Sequence, residues 1–86
     1  MQYRIVFSSL AERCFRKLER PVQERLRKAI DALAANPRPI GARKLMGEKD
    51  LYRVRSGNYR VVYQVRDRVL LVLVIRIGHR REIYRG

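Results

Sequence analysis

The sequence predicts an α+β fold in which one strand and a helical hairpin precede a three-stranded antiparallel meander. Apolar residues alternate near the N-terminus, then recur every three to four positions through two segments, and strand-like runs joined by short turns follow residue 50. The chain has 86 residues, and 47% of them are apolar, which is enough for one small core. We therefore expect a single domain over residues 1–86, with one sheet packed against the helices.

The N-terminal segment predicts a strand that leads directly into a helix. Tyr3, Ile5 and Phe7 occupy every second position, which is typical of a strand with one buried face. Ser9 and Glu12 have the spacing of a capping box, in which the hydroxyl and the carboxylate each bond the other residue's backbone N–H. The first helix should therefore begin at Ser9. Its apolar stripe recurs every four residues and comprises Leu10, Cys14 and Leu18.

The second helix has the clearest periodicity in the chain. Pro21 cannot continue a helix but fits the first turn of the next one, so we expect a very short connection within a helical hairpin. Asn36-Pro37 should end this second helix. Its apolar stripe comprises Val22, Leu26, Ala29, Ile30 and Leu33.

The C-terminal half predicts three strands, and the segment before them, residues 37–50, should be irregular. The expected strands are 51–56, 59–66 and 69–77. Gly57-Asn58 is a two-residue hairpin signal between the first two, because both residue types tolerate positive φ. Residues 69–75 are all apolar, so we expect the last strand to be central and covered on both faces, or covered in part by a partner protein.

A two-residue loop at Gly57-Asn58 fixes which residues share a face of the hairpin. Arg55 then lies opposite Arg60, and Arg53 lies opposite Val62. The three arginines fall on one face, which we expect to be open and basic. Like charges directly opposite each other disfavour a hairpin, so this pairing indicates a purpose other than stability. The second face is apolar, should contact the helices, and comprises Tyr52, Val54, Tyr59, Val61 and Tyr63.

The charge of the chain predicts a polyanionic partner. Lys and Arg number 21 against 8 Asp and Glu, which gives a formal net charge of +13. The imbalance is steepest from residue 38 onward, where 13 Lys and Arg stand against 4 Asp and Glu. Such an excess attracts phosphate chains over a long range and gains from counterion release. It exceeds what solubility requires, so nucleic acid or an acidic protein is the expected partner.

The composition excludes several other classes of protein. With Cys14 as the only cysteine and His79 as the only histidine, the chain can form no internal disulfide and no zinc site of the usual kind, and we expect no cofactor. Residues 1–7 are too polar for a signal peptide, and the apolar run 69–75 is too short to span a bilayer. We expect a cytoplasmic protein with no membrane association.

The arginine-rich strands suit either the binding of phosphate or the cleavage of RNA. In metal-free cleavage the neighbouring 2′-oxygen attacks the phosphate, and the protein must position the backbone, neutralise charge and transfer protons. Arginine suits the second task because its planar fork binds two oxygens, but its high pKa makes it a poor base. The proton could be transferred by His79, Glu82, Tyr84 or an unusual arginine. A solvated strand face is the alternative interpretation of Arg53 and Arg55.

Five segments, each weak alone, together carry a resemblance to a known family. They are Asn36-Pro-Arg-Pro39, Lys44-Leu-Met-Gly47, Leu51-Tyr-Arg-Val-Arg55, Gly57-Asn-Tyr-Arg-Val-Val-Tyr63 and Gly78-His-Arg-Arg-Glu-Ile-Tyr84. In this order and spacing they resemble the RelE-type toxins of the RelE/ParE superfamily, the toxins of bacterial and archaeal toxin–antitoxin pairs. The resemblance covers nearly the whole chain. It implies the RelE-like fold, in which the first strand joins the meander in one sheet.

The resemblance also implies an activity and a site. RelE-type toxins are ribosome-dependent endoribonucleases, or mRNA interferases, that cut the codon in the ribosomal A site and so inhibit translation. Matched by motif, Arg53 and Arg55 would hold and neutralise the phosphate, although well-studied relatives carry lysines there. Arg60 and Arg80 would stabilise the pentavalent transition state, and Tyr84 would stack on a base or assist proton movement. The further expected site residues are His79 for proton transfer and Arg43, Lys44 and Arg81 for RNA binding.

The partners that the resemblance implies are a cognate antitoxin, the ribosome and mRNA. The antitoxin should be acidic where it meets the basic face and amphipathic where it covers apolar surface beside the helices or an open strand edge. Operator DNA would be bound only through the antitoxin complex. One alternative is a ParE-type toxin that inhibits DNA gyrase by protein contact, since a shared fold does not determine function. Another is a non-catalytic RNA-binding homologue. The arginine set together with Tyr84 favours cleavage over both.

Overall fold

The computed structural model describes residues 2–45, 47 and 49–79, and within these it has two α-helices and five strands. The elements are β1 Arg4–Phe7, α1 Ser9–Arg16, α2 Arg20–Ala32, β2 Arg43–Lys44, β3 Leu51–Ser56, β4 Tyr59–Arg66 and β5 Leu71–His79. The α+β class is therefore confirmed. Neither helix in this part of the chain is long and apolar enough to cross a bilayer.

The five strands form one sheet in the order β1-β5-β4-β3-β2. The three C-terminal strands pair as the predicted antiparallel meander, and β1 joins them by pairing parallel to β5. Strand β2 was not predicted, since the sequence was expected to stay irregular from 37 to 50. It has only two residues, Arg43 and Lys44, and so short a charged segment offers no apolar alternation to detect.

The cap of α1 lies one residue earlier than the predicted capping box. The hydroxyl of Ser8, rather than that of Ser9, accepts the N–H of Ala11 at 3.1 Å, and it also donates to the carbonyl of Ile75 at 2.7 Å. The capping-box prediction was therefore wrong. Ser8 caps α1 because its hydroxyl lies within hydrogen-bonding distance of both the first turn of the helix and strand β5.

The apolar stripe of α1 was also predicted in part incorrectly. Leu10 is 47% exposed, whereas Ala11 is fully buried. Cys14 and Leu18 are half-buried and pack against the core, as expected of an apolar stripe. Glu12, which does not cap the helix, pairs instead with Arg16 across one turn at 2.8 Å.

Helix α2 begins as predicted and ends earlier than predicted. Pro21 lies in its first turn, and only residues 17–19 separate it from α1, so the short helical hairpin is confirmed. The helix ends at Ala32, before Asn36-Pro37, so the predicted stop was wrong. The side chain of Asn36 accepts the N–H of Arg38 at 3.2 Å, so this segment forms a separate turn.

The bounds of β3 and β4 match the predicted strands 51–56 and 59–66. Gly57 has φ of +62° in the turn between them, which is the conformation that glycine tolerates best. Strand β5 begins at Leu71 rather than at 69, because Asp67–Val69 form a 3₁₀ turn and Leu70 has φ of +51°. The turn after β4 is therefore longer than the two residues Asp67-Arg68 suggested.

The core lies between the helices and one face of the sheet. Four buried side chains come from the helical segment and its end, and six come from the central strands. They are Ala11, Leu26, Ile30, Leu33, Val61, Tyr63, Val65, Val72, Val74 and Ile77. The predicted helical stripe of α2 and the predicted apolar face of the hairpin thus meet each other. The opposite side of the sheet, turned away from α1 and α2, is called the open face below.

A bulge in β5 changes which residues reach the open face. Val74 pairs with Tyr63, but Arg76 pairs with Val62, so Ile75 is one extra residue on β5. Without it, Arg76 would point toward the helices and Ile77 would point away from them. Strand β5 lies inside the sheet, as expected, but the described residues do not fully cover its second face, because Leu71 and Leu73 are only half-buried. Cover of this face by a partner protein stays a prediction.

Candidate active site

The β3–β4 hairpin brings three arginines to the open face. Arg55 pairs with Arg60 and Arg53 pairs with Val62, so the register predicted from Gly57-Asn58 is confirmed. Residues opposite each other in an antiparallel pair lie about 5 Å apart between Cα atoms, so Arg55 and Arg60 are close neighbours. Six consecutive backbone pairs fix this arrangement. The hairpin therefore concentrates positive charge at a cost in stability.

The three arginines differ in their contact with solvent. Arg55 is exposed and Arg53 is half-buried, but Arg60 is only 2% exposed. The expectation of a fully open basic face is therefore wrong at Arg60. The reason is its position on β4, the central strand of the sheet, where Arg55 and Gly78 are its partners on either side. The charge of a buried guanidinium is less screened by water than that of an exposed one.

Strand β2 adds Arg43 to this surface but turns Lys44 the other way. Arg43 pairs with Arg53, so the two share the open face, whereas Lys44 pairs with Tyr52 on the side of the helices. Both β2 residues are exposed. Of the residues predicted to bind RNA, the structure thus places Arg43 beside the arginines of the hairpin and separates Lys44 from them.

Arg76 is a residue of this surface that was not predicted. It is exposed and pairs with Val62, which itself pairs with Arg53, so a row of side chains crosses four strands from Arg43 to Arg76. The sequence pattern did not indicate Arg76, because the bulge at Ile75 shifts the alternation of inward and outward side chains along β5. The spacing of the apolar residues Val74 and Ile77 could have indicated the bulge. A step of three residues between two core positions is incompatible with the period of two in a regular strand.

His79 lies on the other side of the sheet from the arginines. It pairs with Tyr59, a residue of the apolar face, and the two rings meet edge to face with centroids 5.5 Å apart. Its neighbour Gly78 is the residue that pairs with Arg60 on the open face. The structure therefore does not bring His79 together with Arg53, Arg55 and Arg60.

The remaining predicted site residues lie outside the described residues. These are Arg80, Arg81 and Tyr84, together with the alternative base Glu82. Within the described ranges, no three His, Cys, Asp or Glu side chains lie close enough together to hold a metal ion.

The tyrosines of the hairpin pack rather than present free rings. The ring of Tyr52 stacks on that of buried Tyr63 with centroids 5.9 Å apart, and the guanidinium of Arg38 covers Tyr52 at 5.2 Å. The prediction that these two tyrosines belong to the apolar, packed face of the hairpin is confirmed.

The open face also carries an apolar area next to the arginines. Val6 of β1 pairs with Leu73, and Leu71 pairs with Arg4, so these side chains share the face with Val62. Val6 is 37% exposed, Arg4 is exposed, and the apolar residues Val62, Leu71 and Leu73 are half-buried. The face therefore combines apolar surface near β1 with positive charge near β3.

Comparison with known proteins agrees with this combination of fold and basic face. A model of the family described as the ParE toxin of the type II toxin–antitoxin system parDE matches residues 5–84. The mRNA interferase toxin RelE of Escherichia coli K12 is 41% identical over 88 residues, which cover 98% of this chain and 92% of that protein. Toxin RelG of Mycobacterium tuberculosis is 32% identical and covers 99% of each chain.

Solved structures show the same fold. The intact E. coli RelBE toxin–antitoxin complex contains a chain with a TM-score of 0.80 and 38% identity, covering 90% of this chain and 95% of that one. A chain of the archaeal RelE–RelB complex of Pyrococcus horikoshii OT3 has a TM-score of 0.82 and 28% identity. The match covers 93% of this chain and 97% of that one. The fold and the matches define a toxin of the type II toxin–antitoxin class. The chain belongs to the RelE/ParE superfamily, and its relatives place it on the RelE-type side.

Proposed function

We propose that this chain is a ribosome-dependent endoribonuclease that cleaves mRNA in the ribosomal A site and thereby stops translation in the cytoplasm. We further propose that residues 1–86 act as one toxin domain. The observation that carries the proposal is the alignment of Arg53, Arg55 and Arg60 on one face by the β3–β4 register. The 41% identity to a protein named an mRNA interferase supports the same activity.

The proposed reaction is attack of a 2′-hydroxyl on the adjacent phosphate, which gives a cyclic phosphate and a free 5′-hydroxyl. Arg53 and Arg55 bind the phosphate oxygens and hold the RNA backbone for in-line attack. Arg43 and Arg76 extend the same charged row on either side, so they bind neighbouring phosphates. Positioning and charge neutralisation account for most of the catalysis expected of such a site.

Arg60 has the role of stabilising the transition state, together with Arg80. Negative charge builds on the phosphoryl oxygens as the fifth bond forms, and a donor already fixed in place needs no reorganisation to meet it. Arg60 suits this role because its side chain is buried and its backbone is paired with strands on both sides. Arg55, which is exposed, is better suited to the initial capture of RNA.

Proton transfer falls to the segment after β5 in this proposal. Tyr84 and Glu82 are the candidates, and Tyr84 can also stack on a base. His79 is left out of the chemistry because the register turns it toward Tyr59, away from the arginines. Arg81 remains a proposed RNA-binding residue outside the catalytic set, whereas Lys44 is left out because it pairs with Tyr52 on the side of the helices.

We also propose that a cognate antitoxin neutralises this toxin. The E. coli and P. horikoshii relatives were solved in complexes with RelB antitoxins. An acidic amphipathic segment fits the open face, since Val6 and Leu73 offer apolar surface and Arg53 and Arg55 offer positive charge. Operator DNA is bound only by the complex, through the antitoxin.

Inhibition of DNA gyrase is the second candidate function. It is favoured by the description of the matching family as a ParE toxin. A gyrase inhibitor needs no set of arginines aligned for phosphate, and the E. coli relative that is 41% identical is named an mRNA interferase. We therefore rank gyrase inhibition below mRNA cleavage.

Expression from a tightly controlled promoter separates the two functions. Primer extension would be run on a translated message and on a copy without a ribosome-binding site. The proposal predicts cuts at codon-phased positions in the translated copy alone. Growth arrest with both messages intact would overturn it, and a supercoiling assay with purified gyrase would then test the second candidate.

A further inference from the structure

The densest group of polar contacts in the described chain lies away from the proposed active site. Arg38 binds Asp67 through two hydrogen bonds, from Nη2 to Oδ2 at 2.8 Å and from Nη1 to Oδ1 at 3.2 Å. The hydroxyl of Tyr3 donates to the same Oδ1 at 2.6 Å, and Nε of Arg38 donates to the hydroxyl of Tyr52 at 2.9 Å. These four side chains, Tyr3, Arg38, Tyr52 and Asp67, are called the clasp.

The clasp joins three separate parts of the fold to one loop. Tyr3 precedes β1, Tyr52 belongs to β3, and Asp67 follows β4, whereas Arg38 belongs to the loop between α2 and β2. The hydroxyl of buried Tyr63 adds a further bond to the carbonyl of Pro37 at 2.7 Å. The loop is therefore fixed at residues 37–38 by side chains.

Beyond residue 38, the loop contacts the rest of the fold through Ala42, a small side chain that packs against the core. The N–H of Ala42 bonds the carbonyl of Pro39 at 2.9 Å, which closes a turn, and Ile40 at its tip is fully exposed. Strand β2 follows at once and has only two residues. After it, the N–H of Leu45 bonds the carbonyl of Leu51 at 2.9 Å. A strand this short cannot define its own position, because each ladder bond contributes little alone.

From this arrangement we propose that Arg38 and Asp67 are positioning residues, which hold β2 beside β3 so that Arg43 can bind the RNA backbone next to Arg53. The inference rests on the proposed function and extends it to residues that touch no RNA. Arg38 is engaged within the clasp, since its guanidinium pairs with Asp67 and lies over the ring of Tyr52.

The electrostatic behaviour of the clasp agrees with its geometry. Hydrogen bonds from Arg38 and Tyr3 lower the pKa of Asp67, so the carboxylate is ionised throughout the physiological range. The hydrogen bond to Asp67 raises the pKa of the Tyr3 hydroxyl, so this phenol stays a donor. The carboxylate thus accepts from both partners under the conditions in which the toxin acts.

The positioning role of the clasp and the net charge of the protein predict opposite effects of one substitution on RNA affinity. Asp67→Asn removes a negative charge from a protein of net charge +13, so simple electrostatics predicts tighter binding to RNA. If the clasp positions β2, the same change weakens binding because Arg43 loses its place. Arg38→Gln should weaken binding as well, so the two changes act in the same direction although their charges are opposite.

The test is ribosome-dependent cleavage by the purified full chain, measured as KM and kcat on mRNA-programmed ribosomes. We expect Asp67→Asn and Arg38→Gln each to raise KM about fivefold, the loss of roughly one phosphate contact, with kcat within about twofold of wild type. The double variant should equal either single variant, because both break one unit. Tyr52→Phe, which removes one bond and keeps the ring stack, should raise KM by about twofold.

The matched control is Arg16→Gln on α1. Arg16 also forms an exposed ion pair, with Glu12 at 2.8 Å, but it lies in the helical layer. Its loss should leave KM within about twofold of wild type. Hydrogen exchange supplies a second readout, since the amide of Leu45 reports on β2. This amide should exchange faster in Asp67→Asn and at the wild-type rate in Arg16→Gln.

Each outcome has a defined meaning. Raised KM together with faster exchange at Leu45 supports the positioning role. Unchanged or lowered KM for Asp67→Asn, with Leu45 still protected, would overturn it while the proposed function stands. If the wild type cuts no ribosome-bound message, the proposed function fails and this inference fails with it.

Discussion

Two parts of the arginine surface are held in place by different means. Six consecutive backbone pairs and a glycine turn fix β3 against β4, so Arg53, Arg55 and Arg60 are placed by the main chain. Strand β2 has two pairs, and the loop before it is fixed by the side chains of the clasp. A backbone ladder breaks only when the strand register changes, whereas a side-chain clasp breaks with one substitution. The hairpin should therefore carry the chemistry and β2 should adjust affinity.

Arg60→Ala should have the largest effect, because it removes a buried charge from the central strand of the sheet. We expect kcat for cleavage to fall by about 10²–10³, the usual loss of one fixed donor to a transition state, with ribosome affinity within a few fold. Arg60→Lys keeps the charge and loses the planar fork, so it should recover only part of the rate. Single-turnover cleavage and ribosome pelleting measure the two quantities. Equal losses in both would contradict the transition-state role.

Gly57→Ala should test whether the turn fixes the hairpin. A Cβ there would lie 2.9 Å from Nη1 of Arg25, and the backbone has φ of +62°. We expect a loss of about 1–2 kcal/mol in the free energy of unfolding, and therefore a lower Tm. Arg25→Ala should relieve the contact but leave the strain of the backbone. Gly41→Ala is the matched control, since a Cβ there meets nothing within 4 Å. Equal stability of the Gly57 and Gly41 variants would show that the turn is not restrictive.

Two neighbouring residues of β2 allow a sharper comparison. Arg43→Gln and Lys44→Gln each remove one exposed charge, but only Arg43 shares the open face with Arg53. We expect Arg43→Gln to raise KM for cleavage about fivefold and to reduce the salt dependence of binding by about one phosphate contact. Lys44→Gln should change KM by less than about twofold. Equal effects would mean that net charge, rather than the face of the strand, governs affinity.

Acid should weaken the clasp, and this is the smallest expected effect. The folded-state pKa of Asp67 lies below its unfolded value, so the stability it contributes is present above about pH 4 and is lost as the pH falls through the folded pKa. Wild type should therefore lose more of its Tm than Asp67→Asn when the pH is lowered from about 6 to about 3. A constant Tm difference between the two proteins over this range would contradict the ion pair.

Periodicity and turn chemistry predicted the parts of the fold that depend on local sequence. The stripe of α2 predicted its buried residues, and Gly57-Asn58 predicted the pairing of Arg55 with Arg60. Both predictions hold because local geometry determines them. The helical repeat fixes which residues share a face, and a two-residue turn fixes which residues pair across the hairpin.

The missed features depend on contacts between distant residues. Ser8 is the true cap of α1 in part because it also reaches Ile75, which no local motif indicates. The extra residue in β5 brings Arg76 to the open face, and β2 is too short to show a pattern. The clasp joins residues up to 64 positions apart. The arginines of the hairpin were predictable, but their unequal burial was not.

The central claim is that the arginines aligned by the hairpin cut RNA through its own 2′-hydroxyl while it is bound to the ribosome. The most direct test incubates the purified toxin with one defined mRNA, free or loaded on ribosomes, and identifies the new ends by mass spectrometry. We predict cuts in the loaded RNA alone, with 2′,3′-cyclic phosphate and 5′-hydroxyl ends, and cutting by Arg60→Ala that is slower by about 10²–10³. Equal cutting of free RNA, or ends bearing a 5′-phosphate, would contradict the account.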